Sequence, residues 1–181
     1  WGTKGAKRAV LAREINMDAI IEMMDHAEVE LEVQVHGMTC MFQSRRSLIG
    51  NYYEYQGKAM TVENRQANKN MFLHDAERNN KYPIFEDFNG THIMSPNDIC
   101  IIDELQEMME AGIHSFKIDG VLKDQSYLVA VTKLYRKAID TCAQDVDAYD
   151  EIKHELLQEV EAIQPENRPL DTGFFFKETV Y

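Results

Sequence analysis

Apolar and polar residues alternate over residues 29–35, and this pattern is the starting point for interpreting the chain. A period of two predicts a strand, and Gly37 predicts a sharp turn that ends the strand at His36-Gly37. In α/β folds, ligands bind at the carboxyl ends of strands. The polar residues that follow the predicted strand end are therefore candidates for a functional site, and they include His36, Cys40, Arg45 and Arg46.

Hydrophobic periodicity and turn residues predict the other elements. A strand over 8–15 and a helix over 17–27, with Asn16 as its N-cap, precede the strand over 29–35. Two strands joined by a helix form a βαβ unit, so this pair should be parallel. The later predicted elements are a helix within 44–53, a strand near 59–63, a hairpin over 82–94 that turns at Asn89-Gly90, a helix over 99–111, a third parallel strand over 114–120, and helices over 125–142 and 148–163.

This order predicts an α/β fold in which a hairpin excursion interrupts three parallel strands. Three strands cannot close a barrel of eight, so they form either a small open sheet or the carboxy-terminal part of a larger barrel. We expect a domain over 1–164, with its excursion over about 54–94, and a tail over 165–181 whose apolar run 173–176 needs a surface to pack on. The chain begins with Trp1 rather than Met, as a fragment of a longer protein or a trimmed product would.

Composition and charge narrow the functional classes. The net charge of −12 argues against a broadly basic surface for nucleic acid. A local basic pocket is still compatible with the sequence, formed by Arg45, Arg46, Lys58 and Arg65. The three cysteines lack the short paired spacing of a disulfide framework, which predicts a reducing compartment. No apolar run is long enough to span a bilayer, so we expect a cytoplasmic protein without a membrane partner.

His36 and Cys40 are candidates for both metal binding and catalysis. Their spacing at a strand end is compatible with zinc, but a zinc site needs three or four ligands. The alternative is a hydrogen-bonded turn histidine and a small buried thiol. Cys40 could also act as a nucleophile with His36 as its base, although such pairs are defined by geometry rather than by sequence proximity.

Charged residues in or beside the predicted parallel strands form a second candidate set. Glu14, Lys117 and Asp119 are placed where charges point into the mouth of the sheet. The alternative for them is an internal ion pair such as Lys117 with Glu14. Arg45, Arg46 and Lys123 are candidates for holding a phosphate or a carboxylate, with solvated surface charge as the alternative.

Several separate segments together resemble the collagenase-like protease family, which comprises peptidases of unknown catalytic type. The segments are 35–37 with Cys40, 44–48, Asn51-Tyr52, 90–94, 98–100, 111–112, 115–120, Tyr127, 135–136 and 172–175. The resemblance implies a modified (βα)8 barrel of the TIM type, of which this chain supplies the carboxy-terminal part. Asn51 and Tyr52, which belong to the resembling segments, join Arg45, Arg46 and Lys123 as candidate substrate-binding residues. The candidate catalytic residues, chosen from their positions at strand ends, are Glu14, His36, Cys40, Lys117 and Asp119.

The departures from the family pattern point to a particular branch. The family includes members that hydroxylate RNA or tRNA uridines with an iron–sulfur cluster held by four cysteines. The fingerprint residues Glu32, Gly37 and Cys40 are present, but Ser47 stands where a second cysteine is expected, and the later cysteine pair is absent. With one ligand of four, the resemblance implies no iron–sulfur cluster here.

Three functions follow as hypotheses. The first is an auxiliary subunit in tRNA wobble-uridine 5-hydroxylation, in a homo- or hetero-oligomer with a related family member that carries the cluster. The second is a peptidase, metal-dependent through His36 and Cys40, with zinc as the candidate metal. The third is a non-catalytic interaction module that dimerises, because an incomplete barrel has edges that need to be covered.

Overall fold

The computed structural model describes residues 1–58 and 71–178, and the chain divides into two compact units. Unit 1 comprises Trp1–Gly37 and Asp98–Tyr181, and unit 2 comprises Met38–Asn97. The architecture is mixed α/β. The described strands are β1 (Arg8–Val10), β2 (Glu30–Ser44), β3 (Phe72–Asp75), β4 (Asn80–Asp87), β5 (Gly90–Cys100), β6 (Ser115–Asp119) and β7 (Leu170–Asp171), and the described helices are α1 (Met17–His26), α2 (Leu48–Tyr55), α3 (Leu105–Glu110), α4 (Gln125–Gln144) and α5 (Val146–Ile163).

Parallel pairing defines the sheet of unit 1. Strand β1 pairs with β2, and β2 pairs with β6, both in the parallel sense that the sequence predicts. Strand β7 pairs in parallel with the end of β5. Among the described residues of unit 1 these strands do not close into a barrel. The apolar positions of the predicted strand over 29–35 contribute Leu31, Val33 and Val35 to the buried core.

The long helices of unit 1 begin at the residues that the capping pattern favours. The Asn16 side chain accepts a hydrogen bond from the Ala19 N–H at 3.0 Å, which confirms it as the N-cap of α1. Asp124 caps α4 in the same way. Helix α4 has an apolar face toward the core, on which Val131 and Ala138 are fully buried. Helices α4 and α5 therefore cover the core with residues at helical spacing.

The helix predicted over 99–111 is wrong in its first half. Strand β5 continues through Cys100, and α3 begins only at Leu105. Residues 99–102 are all buried, as in a strand covered on both faces, and periodicity alone cannot distinguish such a run from a buried helix. The Tyr149 hydroxyl fixes the transition, because it donates to the Ile102 carbonyl at 2.8 Å and accepts from the Leu105 N–H at 3.2 Å.

Two predicted strand ends are also wrong. The strand predicted over 8–15 ends at Val10, and Glu14 lies in an exposed turn. The strand predicted to end at His36-Gly37 continues to Ser44 as β2. Its pairing with β6 shifts register between Gln34 and His36, so the irregularity that glycine signals is a bulge within the strand rather than its end. Strand β2 thus passes from unit 1 into unit 2.

Unit 2 contains the predicted hairpin. Strands β4 and β5 are antiparallel, and Asp87 pairs with Gly90 across a turn formed by Phe88 and Asn89. The helix predicted within 44–53 is present as α2, which begins later, at Leu48. The strand predicted near 59–63, like Arg65, lies outside the described residues. None of the described helices combines the length and apolarity needed to cross a lipid bilayer.

The carboxy-terminal segment packs within unit 1. Phe175 is buried, and its carbonyl oxygen accepts a hydrogen bond from the Met17 N–H at 2.8 Å. Leu170 and Asp171 form β7 beside β5. Part of the apolar run 173–176 is thereby covered, whereas Phe174 and Phe176 stay exposed.

Gly37 is required by the close approach of β2 to β6. Its φ is +101°, and a Cβ atom added there would lie 2.1 Å from the Asp119 carbonyl oxygen. We expect Gly37→Ala to lower the free energy of unfolding by at least about 2 kcal/mol, because backbone on both sides must move. Gly112→Ala is the matched control. Its φ is also positive, at +85°, but among the described residues a Cβ atom added there would meet no atom within 4 Å apart from its chain neighbours. Only about 1 kcal/mol of backbone strain is therefore expected. Equal losses in urea unfolding would contradict the explanation.

Candidate functional site

A buried carboxylate, Asp98, lies at the centre of the candidate site in unit 1. It is fully buried at the point where β5 enters this unit. Its Oδ2 accepts a hydrogen bond from Lys123 Nζ at 2.5 Å and another from Gln164 Nε2 at 2.7 Å. Its Oδ1 accepts a hydrogen bond from the Arg168 guanidinium. The carboxylate thus joins the loop after β6, the end of α5 and the segment before β7.

The charge of Asp98 is stabilised by its two cationic partners. Burial alone would raise the pKa of a carboxyl group. The hydrogen bonds and charges of Arg168 and Lys123 outweigh that effect and hold the pKa of Asp98 below its ordinary value. The three groups together carry one net positive charge. A buried cluster with two cations and one anion is suited to contact an anionic group of a ligand.

A chain of hydrogen bonds leads from Asp98 to His36. Tyr127 Oη lies 2.5 Å from Gln164 Oε1 and 2.8 Å from His36 Nε2. On the other side of the imidazole ring, Tyr135 Oη lies 3.4 Å from His36 Nδ1 and donates to the Val35 carbonyl oxygen at 2.9 Å. His36 is fully buried between the two tyrosines. The network is continuous from the cationic pair to the bulge of β2.

The donors in this chain have a definite direction. Gln164 donates through Nε2 to Asp98 and to the Arg168 carbonyl oxygen, so its Oε1 faces Tyr127 and can only accept. Tyr127 must therefore donate its one proton to Gln164. It follows that Tyr127 accepts from His36, whose proton is on Nε2. The hydrogen-bond partners thus fix both the orientation of the Gln164 amide and the tautomer of His36.

Burial sets the protonation of the side chains around His36. Burial lowers the pKa of His36 to about 4, the Asp98 charge opposes this shift, and Lys123 adds to it. Burial also raises the pKa of the Cys100 thiol to about 11, and Tyr135 lies beside it with an Oη–Sγ distance of 3.6 Å. At neutral pH the imidazole is neutral and the thiol is protonated. Neither is poised as a nucleophile.

The local sequence explains these positions. Asp124 accepts from the Tyr127 N–H at 2.8 Å and so begins α4 one turn before the first tyrosine. Tyr127, Val131 and Tyr135 follow at intervals of four, which places them on one buried face of the helix. The bulge between Gln34 and His36 then turns the imidazole toward that face.

A cleft of about 390 Å³ opens beside this network. It is lined by Leu122, Lys123, Asp124, Ser126, Tyr127, Ala130, Ile163 and Pro165. Lys123 and Tyr127 belong to both the cleft and the network. The Lys123 Nζ lies 4.7 Å above the Tyr127 ring, so the cation is held by an aromatic face as well as by Asp98. The cleft is therefore the accessible end of the buried network.

The structure brings together two of the residues that the sequence singles out, His36 and Lys123. Lys117 and Asp119 instead form an ion pair with each other at 3.3 Å along β6. The alternative pairing of Lys117 with Glu14 is therefore not observed. The catalytic role predicted for these three residues from their positions stays a prediction.

The remaining predicted residues belong to unit 2. Arg45, Arg46, Asn51 and Tyr52 are exposed there. Cys40 is partly buried, and its thiol donates to the Phe42 carbonyl oxygen at 3.5 Å. Within residues 1–58 and 71–178, no group of three or more His, Cys, Asp or Glu side chains is placed to hold a metal ion. A zinc site on His36 and Cys40 therefore stays a prediction.

Sequence reasoning missed the central residue of the site. The pattern places Asp98 directly before the helix predicted over 99–111, whereas in the structure Asp98 lies in β5 and precedes the buried run 99–102. A carboxylate next to four buried apolar residues was the available signal, because such a charge needs partners. Gln164 and Arg168 gave no comparable signal, since each is a polar residue near a helix end.

Comparison with known proteins gives consistent matches. The chain matches Peptidase family U32 over residues 1–180. It is 67% identical over 181 residues to "tRNA hydroxylation protein P2" of Bacillus subtilis, a match that covers 100% of this chain and 59% of the relative. It is 30% identical over 175 residues to "tRNA hydroxylation protein P1" of the same organism, covering 97% and 41%. It is 29% identical over 154 residues to "Collagenase" of Porphyromonas gingivalis, covering 78% and 36%.

The chain therefore spans 59% or less of the length of each of these relatives. No solved structure matches the chain.

The buried imidazole predicts a specific dependence of stability on pH. Between pH 6.5 and about 4, the unfolded chain binds a proton at residue 36 that the folded protein excludes, so stability falls as the pH is lowered through this window. We expect a loss of about 3 kcal/mol across it. The depressed pKa of Asp98 adds a further loss only below its ordinary value of 3.8.

Urea unfolding at a series of pH values tests this dependence. His36→Gln should flatten the slope between pH 6.5 and about 4, whereas His26→Gln, at an exposed position, should leave it unchanged. An unchanged slope in the His36 variant would show that other groups cause the effect.

Proposed function

Because this chain belongs to Peptidase family U32, we propose that it serves in tRNA wobble-uridine 5-hydroxylation as an auxiliary subunit. The observation that carries this proposal is the 67% identity, over the whole chain, to a relative named tRNA hydroxylation protein P2. The second Bacillus subtilis relative and a relative from Escherichia coli are also named for tRNA hydroxylation. Such a role would place the protein in the cytoplasm.

The cysteines support an auxiliary rather than a cluster-bearing role. An iron–sulfur cluster of the family's kind needs four thiolates. This chain has three cysteines, of which Cys100 and Cys142 are buried in unit 1 and Cys40 is partly buried in unit 2. Burial raises the pKa of both Cys100 and Cys142, which disfavours the thiolate that a cluster requires. The cysteines of this chain do not fit a cluster of the family's kind, and in the role proposed here a related partner carries the cluster.

The buried network gives unit 1 a binding role within this proposal. The cleft ends at Lys123 and Tyr127, and the cluster behind them carries a net positive charge. We assign this cleft to an anionic group, either a phosphate or a carboxylate, of the ligand. Lys123 would contact that group, and Asp98 and Tyr127 would hold Lys123 in position.

The parallel strands of unit 1 are also interpreted as part of a larger fold. Three parallel strands with intervening helices are compatible with the carboxy-terminal part of a (βα)8 barrel, which the longer relatives have the length to complete. A related family member is the proposed oligomeric partner. The two Bacillus subtilis relatives, P1 and P2, show that one organism contains two such proteins.

The peptidase alternative has less support. It rests on the family's name and on a relative named Collagenase. A cysteine nucleophile needs a lowered pKa and a base. Cys40, the proposed nucleophile, donates its thiol proton to the Phe42 carbonyl oxygen at 3.5 Å, and the Nε2 of His36, its proposed base, is hydrogen-bonded to Tyr127 Oη at 2.8 Å. Burial raises the pKa of the Cys100 thiol to about 11, so that cysteine is not an activated nucleophile either.

Analysis of tRNA nucleosides tests the proposed function and the role of Tyr127. Deleting the gene should abolish nucleosides derived from 5-hydroxyuridine, and the full-length wild-type gene should restore them. Tyr127→Phe removes only the hydroxyl that joins His36 to Gln164, so we expect restoration to fall by about tenfold. Tyr149→Phe is the matched control, because it removes another buried and hydrogen-bonded hydroxyl in unit 1 that is outside the network.

Full restoration by Tyr149→Phe and poor restoration by Tyr127→Phe would support the network's role. Unchanged 5-hydroxyuridine in the deletion strain would overturn the proposed function itself.

Metal analysis of the purified full-length protein separates the two main hypotheses. We expect no stoichiometric iron and no charge-transfer absorption, because the segment in which the family carries its cluster cysteines has Cys40 but has Ser47 in place of the second cysteine and lacks the later pair. Stoichiometric zinc that is lost on Cys40→Ser would instead favour a site on His36 and Cys40 and revive the metal-dependent peptidase.

A further inference from the structure

Unit 2 presents an unusual helix face to solvent. Leu48, Asn51, Tyr52 and Tyr55 follow the spacing i, i+3, i+4 and i+7, so they lie on one side of α2. In most surface helices this stripe packs against the core. Here all four residues are exposed, and Ile49 is the buried residue of the helix. The exposed fractions of Tyr52 and Tyr55 are 58% and 91%.

Other exposed aromatic residues lie close to the start of this helix. A Cβ atom added at Gly90 would lie 2.8 Å from the Arg45 Cα, so the tip of the β4–β5 hairpin is against the residues that precede α2. Phe88 at that tip is 84% exposed, and Phe42 at the end of β2 is 51% exposed. We call Phe42, Arg45, Arg46, Tyr52, Tyr55 and Phe88 the aromatic–arginine surface.

The two arginines of this surface differ from four other arginines of the chain. Arg8, Arg78, Arg136 and Arg168 each form an ion pair with a carboxylate. Within residues 1–58 and 71–178, neither Arg45 nor Arg46 has an ion-pair partner, and both are exposed. Two adjacent cations without a carboxylate partner are available to an anionic ligand.

The helix terminus beside these arginines is already occupied. The Glu86 carboxylate accepts from the Ile49 N–H at 2.9 Å and from the Gly50 N–H at 3.3 Å, and Thr91 Oγ1 accepts from the Leu48 N–H at 2.9 Å. The first amides of α2 are thereby satisfied within unit 2. An anion at this surface would therefore be bound by the arginine side chains and not by the helix end.

Charge is distributed unevenly along the chain. Residues 38–97 contain seven Lys and Arg against six Asp and Glu, a net charge of +1. The rest of the chain contains twelve against 25, a net charge of −13. A polyanion is repelled by such an acidic remainder and is tolerated at unit 2.

We propose that the aromatic–arginine surface binds unpaired nucleotides of an RNA loop. Arg45 and Arg46 would contact backbone phosphates, and exposed rings such as Tyr55 and Phe88 would stack on unpaired bases, which is how proteins recognise single-stranded RNA. The inference rests on the proposed function, because that function supplies RNA as the substrate class. A protein partner is the competing occupant, since Tyr and Arg are also enriched at protein interfaces. The charge distribution favours RNA.

RNA binding by the full-length protein tests the proposal. The probes are a short RNA hairpin with an unpaired loop and a duplex with the same stem, and fluorescence polarisation gives the dissociation constant over a range of salt concentrations. We expect the hairpin to bind more tightly than the duplex. The double variant Arg45→Gln and Arg46→Gln should weaken hairpin binding by about tenfold and lower the log–log salt slope by about 1.4, because two phosphate contacts are lost.

Matched variants separate specific contacts from net charge. Arg78→Gln with Arg136→Gln changes the net charge equally but removes arginines that are paired with carboxylates, so the salt slope should not change. Tyr55→Ala with Phe88→Ala should weaken binding about fivefold or more without changing the slope, because stacking is lost. Phe176→Ala, an exposed aromatic residue of unit 1, should have no effect.

Two results would overturn the proposal. One is RNA binding that does not depend on this surface, seen either as equal affinity for hairpin and duplex or as unchanged affinity in the surface variants. The other is absence of RNA binding while the same variants lose a co-purifying protein, which would assign the surface to that partner. The nucleoside analysis tests the proposed function separately. If it supports tRNA hydroxylation while these variants bind RNA as the wild type does, only the assignment of RNA to this surface is wrong. If the deletion leaves tRNA unchanged but the variants weaken binding, only the proposed function is wrong.

Discussion

The buried charge of Asp98 is the constraint on which unit 1 depends. A carboxylate without water is costly, and it is tolerated here because Lys123, Gln164 and Arg168 all donate to it. These donors come from the loop after β6, the end of α5 and the segment before β7. One charge therefore ties the loop after β6 to the end of α5 and to the adjoining segment before β7. Loss of any donor would leave the buried carboxylate with an unfilled hydrogen-bonding position.

The same constraint sets the state of the residues further inside. Asp98 accepts a hydrogen bond from the Gln164 amide nitrogen, so the Gln164 carbonyl oxygen faces Tyr127 and accepts a hydrogen bond from its hydroxyl. Tyr127 in turn accepts a hydrogen bond from His36 Nε2. The imidazole is then held neutral by burial and by a defined direction of hydrogen bonds. The network positions Lys123 at the cleft, and this organisation supports a binding role for unit 1 more than a nucleophilic one.

The sequence predicts the parts of this fold that depend on local pattern. Alternation gives the strand over 29–35, and Asn16 caps α1 as its residue type predicts. Prediction fails where strand pairing overrides local signals. Gly37 does not end its strand but follows a bulge in the pairing of β2 with β6, and residues 99–100 extend β5 instead of starting a helix. The site shows the same division. His36 and Lys123 stand out beside a strand end and a loop, but Asp98, Gln164 and Arg168 acquire their meaning only when the chain brings them together.

Unit 2 shows how the start of α2 can be held in place without the cluster-binding cysteines that the family resemblance predicts. Ser47, where the family pattern has a cysteine, directly precedes α2 and does not cap it with its side chain. Glu86 and Thr91 of the hairpin take over by accepting from the first three amides of the helix. Because Glu86 is buried and Thr91 also donates to it, these contacts are shielded from water and are stronger than an exposed cap. The start of α2 is therefore held in place by side chains of unit 2 itself, at the position where the family pattern has a cysteine.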